Sequence, residues 1–249
     1  MPDSQIQAHA AEAAKAGAVC TIALQPCIPF SHINAQAVVA SMKIFSPEAP
    51  PIVWLRPAHE VNWFASHAPI STDDPLTIHR YIDTNPKNTD KSNKYHGSPQ
   101  DFKPRWQNVY NAIDHSTTKL FWSPVGPFAP GDTIQSLNAT WYPGDAYVDI
   151  VGLDAYGQPN PDGSQSTFDS SLGKYYDFYH NKPVALGETG WLKGGTAELR
   201  KYWLGQVSGV EARRRCPNYV GLAWFEYEKD GDYRVVMGGA GKLAKGVLG

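Results

Sequence analysis

Short, continuous runs of apolar residues recur along this 249-residue chain, and helical patterns separate them. The runs contain many β-branched residues, and they do not alternate with polar residues as a half-exposed strand would. Runs of this kind predict parallel strands that helices cover on both faces of the sheet. We count six of them, which begin near residues 18, 52, 119, 147, 182 and 219.

The alternation of strands and helices indicates an α/β fold, and we expect a TIM (β/α)8-type barrel. No linker, low-complexity run or repeat of fixed period divides the chain, which favours one domain over residues 1–249. A closed barrel of this type has eight strands, whereas only one helical segment, near residues 5–16, precedes the first apolar run. The sequence therefore predicts a barrel that lacks the first two βα units in this chain.

The charge and hydropathy of the chain argue against several classes of protein. Its formal net charge is −2, and its one basic run, residues 213–215, is short, so we expect no nucleic-acid partner. No apolar run reaches the roughly 20 residues that span a bilayer. The first residues lack the basic region and apolar core of a signal peptide. We accordingly expect no membrane partner.

Two of the apolar runs end in a glutamate that a tryptophan follows. Glu60 comes shortly after the run at 52–55 and precedes Trp63, and Glu188 ends a later run and precedes Trp191. The carboxyl ends of parallel barrel strands meet at one face, whatever their separation in sequence. Retaining glycoside hydrolysis uses two carboxyl groups about 5–5.5 Å apart, one as acid/base and one as nucleophile. Glu60 and Glu188 are therefore candidate catalytic residues for sugar chemistry.

Other side chains near the strand ends suit the same chemistry. His59 could tune the protonation of an adjacent acid, and Tyr156 could orient a nucleophile. Glu226 and Glu228 also follow a strand, and we rank them below Glu188 as rim or surface residues. Indole rings can stack on the apolar faces of sugars, and the candidates are Trp63, Trp122, Trp191 and Trp224.

Motifs of other catalytic classes do not occur in the sequence. His59 and Glu60 begin like a zinc-binding helix, but Trp63 occupies the position of the second histidine. The glycine-rich residues 239–243 lack the first glycine and the final Ser or Thr of a phosphate-binding loop. There is no Gly-x-Ser-x-Gly elbow and no dinucleotide fingerprint after a strand. We expect the chain to need no metal and no organic cofactor.

Three segments resemble glycoside hydrolase family 26, the β-mannanase family of (β/α)8 hydrolases with catalytic glutamates after strands four and seven. The first contains Leu-Arg-Pro-Ala-His-Glu-Val-Asn, and the second contains Tyr-Pro-Gly-Asp followed by Val-Asp-Ile-Val-Gly-Leu-Asp. The third ends in Gly-Glu-Thr-Gly. The resemblance runs from about the third barrel strand to the C-terminus, and the segments span residues 55–64, 141–156 and 182–190.

Carried over residue by residue, the resemblance implies roles for the candidate residues. Glu60 would be the general acid/base, and Glu188 would be the nucleophile. His59 would line the cleft beside the acid, Arg56 would hold the carboxylate network, and Tyr156 would donate a hydrogen bond to the nucleophile. The resemblance thus implies a glycoside hydrolase catalytic domain.

The resemblance also implies that Trp224 forms the floor of the subsite where the bond is cleaved. The family has a glycine and more tryptophans after its His-Glu-x-Asn segment, whereas Asn62 here leads directly into Trp63 and Phe64. This departure leaves the identity of the sugar open.

The sequence predicts a retaining endo-hydrolase of β-linked polysaccharide or oligosaccharide, with β-1,4-mannan as the first candidate substrate. A β-glucanase or xylanase of the same fold is the alternative within this class. An inactive carbohydrate-binding relative is the alternative from another class, because two βα units are missing. We expect a monomer, and the resemblance alone implies an extracellular location, where polysaccharide is found.

Overall fold

A computed structural model describes most of the chain between residues 19 and 236. The described residues are 15, 19–26, 28–42, 52–65, 95, 97–126, 133–160 and 162–236. The helix predicted near residues 5–16 lies outside them, apart from Lys15. The polar composition of residues 65–104 predicts a long loop, and most of this stretch also lies outside the described residues. The chain forms two compact units, residues 1–149 and residues 150–249.

The first unit contains a parallel sheet of three strands, β1 (Cys20–Leu24), β2 (Val53–Pro57) and β3 (Thr118–Trp122). Strand β2 pairs with both others, so that Leu55 lies opposite Ile22 on one side and Leu120 on the other. The side chains of Leu55 and Leu120 are completely buried. Because both faces of the sheet are covered, successive residues of a strand are apolar, and each strand is a continuous apolar run in the sequence.

Aromatic residues join the helices of the first unit to its sheet. The ring centroids of Phe102 and Trp122 are 6.0 Å apart, and those of Trp106 and Trp122 are 5.8 Å apart with the rings edge to face. Phe30 packs against Phe102 at 5.2 Å. Trp106 and Trp122 therefore belong to the hydrophobic core of this unit. The helices are α1 (Ala35–Met42), α2 (Val61–Phe64), α3 (Pro99–Ala112) and α4 (Ile134–Trp141), with 3-10 turns at Phe30–His32 and Asp145–Tyr147.

Helix α3 begins three residues before the helix that the apolar pattern predicts over residues 102–114. A capping box fixes its start, because the Ser98 hydroxyl accepts from the Asp101 amide at 3.2 Å and the Asp101 carboxylate accepts from the Ser98 amide at 3.0 Å. Pro99 occupies the first turn, where its missing N–H costs nothing. The polar first turn carries no apolar periodicity, which explains the difference.

Replacing Ser98 by Ala should lower the free energy of unfolding by about 1 kcal/mol. The bonds from Ser98 lower the pKa of Asp101 in the folded protein. The ionised carboxylate therefore stabilises the fold at any pH above its ordinary pKa, and this stabilisation is lost as the pH falls through the lowered pKa. The difference in unfolding free energy between the variant and the parent should therefore shrink in acid.

Urea unfolding at pH 7 and in acid measures this difference. Ser41→Ala is the control, since the Ser41 hydroxyl bonds within its own helix, to the Ala37 carbonyl oxygen. Equal losses in both variants at pH 7 would contradict the cap.

The second unit contains another parallel sheet of three strands, with β5 paired to both neighbours. Leu186 of β5 lies opposite Leu153 on one side and Leu222 on the other. The strands are β4 (Ile150–Asp154), β5 (Val184–Thr189) and β6 (Tyr219–Trp224). A π-helical turn at Asp169–Gly173 leads into α5 (Lys174–Phe178), and α6 (Ala197–Ser208) and α7 (Val210–Arg215) follow β5.

The sequence pattern predicts one helix near residues 196–214, but the structure has two helices there, α6 and α7. Gly209 separates them with φ −74° and ψ 168°, an extended conformation that ends α6. A Cβ at this position would lie 2.5 Å from the carbonyl oxygen of Gly205, so the close turn suits glycine.

The longest described helix, α3, has 14 residues. No helix in the described ranges is long and apolar enough to cross a membrane.

Candidate active site

Glu60 lies in a strained turn directly after β2. Ala58 and Glu60 have φ angles of 50° and 54°, which are uncommon for residues with a side chain. The Glu60 amide donates to the Ser123 carbonyl oxygen at 2.9 Å, and the Glu60 carbonyl accepts from the Trp63 amide at 2.9 Å. Such conformations cost about 1–3 kcal/mol each and concentrate at functional sites. The turn therefore marks the C-terminal end of β2 as a candidate site.

His59, next to Glu60, is held from several sides and is only 8% exposed. The Tyr95 hydroxyl donates to the His59 carbonyl oxygen at 2.8 Å and lies 3.4 Å from Nδ1. The Gln25 amide nitrogen lies 3.4 Å from Nε2, and Phe64 packs edge-on against the imidazole at 5.9 Å. Neither Gln25, which follows β1 directly, nor Tyr95, which lies in the polar stretch 65–104, is among the residues that the sequence pattern predicts for the site.

Arg56 is the second-last residue of β2, and it is 3% exposed. Its Nε donates to the Ser123 hydroxyl at 2.7 Å, and its guanidinium carbon lies 5.7 Å from the centroid of Phe121. The Asn62 side chain donates to the Val125 carbonyl oxygen at 2.9 Å and accepts from the Val125 amide at 3.1 Å. These bonds fix the residues after β2 against those after β3. Ser123 was also missed, although its place directly after a strand is a usable signal.

The two candidate tryptophans of the first unit have different environments. Trp63 in α2 is partly exposed, so a sugar ring could reach it. Trp122 is 1% exposed and packs against Phe102, Trp106 and Tyr142. The structure therefore gives Trp122 a packing role, and the predicted sugar-stacking role for this residue is corrected.

Glu188 lies near the C-terminal end of β5, beside the end of β4. It pairs in register with Asp154, and its carbonyl oxygen accepts from the Ala155 amide at 3.0 Å. The Tyr156 hydroxyl donates a short hydrogen bond to Oε1 of Glu188. Asp154 is buried, whereas Glu188 is partly exposed. The second unit thus presents an accessible carboxylate that a tyrosine orients.

Bonds between the ends of β4 and β5 keep Glu188 and Tyr156 in register. The Thr189 hydroxyl donates to the Ala155 carbonyl oxygen at 2.7 Å and accepts from the Trp203 indole at 2.9 Å. A Cβ on Gly157 would lie 2.6 Å from the ring of Trp203, so the backbone can approach only because this residue is glycine. The backbone that carries the two functional side chains is therefore fixed by packing from α6.

Trp191 is enclosed by backbone and is 3% exposed. A Cβ on Gly195, whose φ is +57°, would lie 2.2 Å from its indole. This tryptophan, predicted to stack on sugar, packs in the core instead. Trp224, the last residue of β6, is partly exposed, and its indole donates to the Tyr233 carbonyl oxygen at 2.7 Å. Trp224 thus keeps a surface for a ligand.

The two further glutamates after β6 are engaged elsewhere. The Glu226 carboxylate accepts from the Val235 amide at 2.9 Å and from the Val236 amide at 2.7 Å, which closes the loop after the strand. Glu228 forms an exposed ion pair with Arg234 at 3.0 Å. Both contacts support the ranking of these residues below the glutamate on β5.

The described residues of each unit place one candidate catalytic carboxylate at the C-terminal end of a parallel strand, and general acid/base and nucleophilic chemistry on sugars uses such carboxylates. Within each unit taken alone, the described residues bring together no set of three His, Cys, Asp or Glu side chains that could ligate a metal ion. The structure thus offers carboxylates, one tyrosine hydroxyl and partly exposed indoles as its chemical groups.

Comparison with known proteins identifies the class. The family model for glycosyl hydrolase family 26 matches residues 89–195, a range that includes Tyr156 and Glu188. Glu60 lies N-terminal to the matched range. No curated protein matches the chain significantly.

Solved structures of glycoside hydrolases share the fold. The catalytic domain of a family 26 endo-β-1,4-mannanase from Bacillus sp. JAMB-750 matches with a TM-score of 0.57 and 19% identity, over 98% of this chain and 69% of that chain. A family 128 endo-β-1,3-glucanase from Sorangium cellulosum matches with a TM-score of 0.58 and 15% identity, over 95% and 82%. A family 5 xyloglucanase from Paenibacillus pabuli matches with a TM-score of 0.50 and 11% identity, over 100% and 89%.

The fold and the family-model match together define a glycoside hydrolase. The predicted resemblance to glycoside hydrolase family 26 is confirmed, with the match over residues 89–195 as its sequence basis. The predicted fold class is confirmed as well: the six described strands agree with a truncated (β/α)8-type barrel.

Proposed function

We propose that this glycoside hydrolase is a retaining endo-enzyme that cleaves β-1,4-mannan. The hydrogen bond from Tyr156 to Glu188 at the end of β5 is the observation that carries the proposal, because it would orient an ionised carboxylate for attack. Both residues lie within the range that matches the family 26 model. The similar fold of a family 26 endo-β-1,4-mannanase is consistent with the choice of substrate.

In this proposal Glu60 is the general acid/base and Glu188 is the nucleophile. The strained turn at Glu60 supports a functional role for that residue. His59 would line the cleft beside the acid, and the buried Arg56 would fix the strand end through Ser123. The acid would protonate the leaving oxygen, the nucleophile would form a glycosyl-enzyme, and water would release the sugar with the acid now acting as base.

Trp63 and Trp224 are the proposed sugar-stacking residues, because each is partly exposed. Trp63 follows Glu60 by three residues, and Trp224 pairs with Thr189, the neighbour of Glu188. Trp122 and Trp191 are not included, since both pack in the core. We also propose that the enzyme works as a monomer outside the cell and as one domain over residues 1–249.

Reducing-sugar release on β-mannan, β-glucan and xylan tests the substrate. We expect turnover on mannan, with little release from the other two polysaccharides. Turnover on β-glucan or xylan instead would replace mannan as the substrate while keeping the class. A folded chain that binds polysaccharide without turnover would support the carbohydrate-binding alternative and contradict the enzyme.

The stereochemistry of the first product tests the mechanism separately. A retaining enzyme acting on a β-linked mannan should release the β-anomer first, before mutarotation, and proton NMR resolves the two anomers. Initial release of the α-anomer would show inversion and would contradict a nucleophilic role for Glu188.

A further inference from the structure

Tyr156 is itself held by aromatic side chains of the loop after β6. The ring centroids of Tyr233 and Tyr156 are 5.8 Å apart at 75°, an edge-to-face contact, and Phe225 packs edge-to-face on Tyr233 at 5.1 Å. Phe225 also contacts Tyr156 at 6.4 Å. Tyr156, Phe225 and Tyr233 thus form one aromatic cluster, which we call the Tyr233 cluster. Edge-to-face pairs of this kind fix ring orientation as well as burying area.

Hydrogen bonds hold Tyr233 at both its hydroxyl and its backbone carbonyl oxygen. Its hydroxyl accepts from the Lys193 amide at 3.0 Å and donates to the Asp230 carboxylate at 2.8 Å, and its carbonyl oxygen accepts from the Trp224 indole at 2.7 Å. The ring is 4% exposed. Burial and the bond to Asp230 raise the pKa of Tyr233 to about 12, so the hydroxyl stays protonated and keeps its donor role at working pH.

Gly190 leaves the space in which the two tyrosine rings meet. A Cβ on this glycine would lie 3.1 Å from Cδ1 of Tyr233 and 3.2 Å from Cε1 of Tyr156. Contacts this short would oblige one or both rings to move. Gly190 comes two residues after Glu188, so the packing of the Tyr233 cluster and the position of the carboxylate are coupled through the same short segment.

Arg200 holds the loop that carries Tyr233. Its side chain is buried, and its Nη1 donates to the carbonyl oxygens of Gly194 at 3.4 Å, Gly195 at 3.3 Å and Asp232. Its Nη2 also lies 3.5 Å from the Asp232 carboxylate. One guanidinium from α6 therefore joins the segments after β5 and β6, and the loop has little freedom to carry Tyr233 away from Tyr156.

We propose that Tyr233 is a positioning residue for the reaction: it fixes the ring of Tyr156, and through the Tyr156 hydroxyl it fixes the carboxylate of Glu188. The inference rests on the proposed role of Glu188 as nucleophile. Tyr233 acts on the reaction only through Tyr156. Its loss should therefore affect turnover more than substrate binding, because misplacement of a reacting group by about 1 Å can cost about 100-fold in rate.

A double-mutant cycle tests this chain of contacts. Tyr233→Leu should lower kcat on the best polysaccharide by about 10- to 100-fold with KM nearly unchanged. Tyr156→Phe, which removes the donor to Glu188, should lower kcat comparably. If Tyr233 acts through that hydroxyl, adding Tyr233→Leu to Tyr156→Phe should change kcat by less than about twofold, since coupled residues are not additive. Tyr233→Phe keeps the ring contact with Tyr156 but loses the bonds of the hydroxyl to Lys193 and Asp230, so its kcat should lie between those of the parent and of Tyr233→Leu.

Other results of the cycle would overturn the inference. Losses that multiply in the double variant, or a kcat of Tyr233→Leu within about twofold of the parent, would show that Tyr233 does not act through Tyr156. If Tyr233→Leu fails to fold, Gly190→Ala provides a second cycle, because the added methyl group obliges one or both rings to move while the loop keeps its bonds to Arg200 and Trp224. Multiplying losses with Gly190→Ala would count equally against the proposal.

Glu188→Ala in the same assay separates this inference from the proposed function. If Glu188→Ala abolishes turnover while the cycle is additive, Glu188 keeps its role and only the positioning by Tyr233 fails. If Glu188→Ala retains turnover, or the parent has none, the proposed function fails and the positioning proposal fails with it.

Discussion

Glu188→Ala should lower kcat on mannan by at least about 10⁴-fold, because removal of a covalent nucleophile leaves only binding and electrostatic contributions. The variant should still fold, since Glu188 is partly exposed and, among the described residues, the Tyr156 hydroxyl is the hydrogen-bond donor to its side chain. Circular dichroism and binding of mannan should accordingly match the parent. The measurement is steady-state reducing-sugar release, with the anomeric products followed by NMR.

Glu228→Ala is the matched control for this variant. Glu228 also follows a strand of the second unit, but its carboxylate forms an exposed ion pair with Arg234, and such pairs contribute at most about 1 kcal/mol. We expect its turnover to stay close to that of the parent. Equal losses in Glu188→Ala and Glu228→Ala would point to a general effect of removing acidic residues and would contradict the nucleophilic assignment.

Azide gives the nucleophile variant a chemical signature. A small anion can occupy the space that the Glu188 side chain leaves, attack the sugar directly and produce a glycosyl azide of inverted configuration. An activated aryl mannoside is the suitable substrate, because its leaving group depends little on the acid. Restored turnover with an α-configured azide product would identify the missing group as the nucleophile, whereas restored turnover with a β-configured product would assign Glu188 to the acid/base role.

Much of this fold could be predicted from the sequence because its parallel strands are buried on both faces. Such strands are continuous apolar runs, and the structure contains a strand at each of the six predicted runs. Helix ends were predicted less well for a physical reason. The start of α3 depends on the capping box of Ser98 and Asp101, and the break before α7 depends on the extended backbone of Gly209. Neither feature has apolar periodicity.

The partners within the site were less predictable than the strand ends. Glu188 and Tyr156 follow directly from runs that end in polar residues, and the structure joins them by a hydrogen bond. Tyr95 and Tyr233 come from segments without periodic pattern, so only the fold brings them to His59 and Tyr156. These contacts are set by tertiary packing, which a single sequence does not encode locally.

The tryptophans show the limit of composition as a guide. An indole near a strand end can face a ligand or fill the core, and the sequence pattern is the same in both cases. Trp122 sits among aromatic side chains of α3, and Trp191 sits under the backbone of Gly195. Trp63 and Trp224 keep exposed surface. The glycine pair Gly194-Gly195, shortly after Trp191 in the chain, is the signal that could have distinguished this residue, because glycine lets the backbone approach the ring closely.

Glu60→Ala should have an effect that depends on the leaving group. On mannan, kcat/KM should fall by about 10²–10⁴-fold, because the departing sugar oxygen needs a proton. On a dinitrophenyl mannoside, the leaving group departs without a proton, so the first step should stay within about tenfold of the parent rate. The second step still needs a base, and the glycosyl-enzyme should accumulate. Stopped-flow measurement of dinitrophenol release should therefore show a burst followed by slow turnover.

The comparison of substrates distinguishes an acid/base role from a structural one. The turn at Ala58 and Glu60 is strained, so a variant that relaxes it could lose activity by displacing His59 instead. That displacement would slow the first step on both substrates alike, whereas loss of the proton donor slows the first step only on the substrate with the poor leaving group. Glu60→Gln keeps the shape of the side chain and removes the transferable proton. If it matches Glu60→Ala on mannan and keeps the burst, the carboxyl group is the acid; if it restores mannan turnover, the acid lies elsewhere.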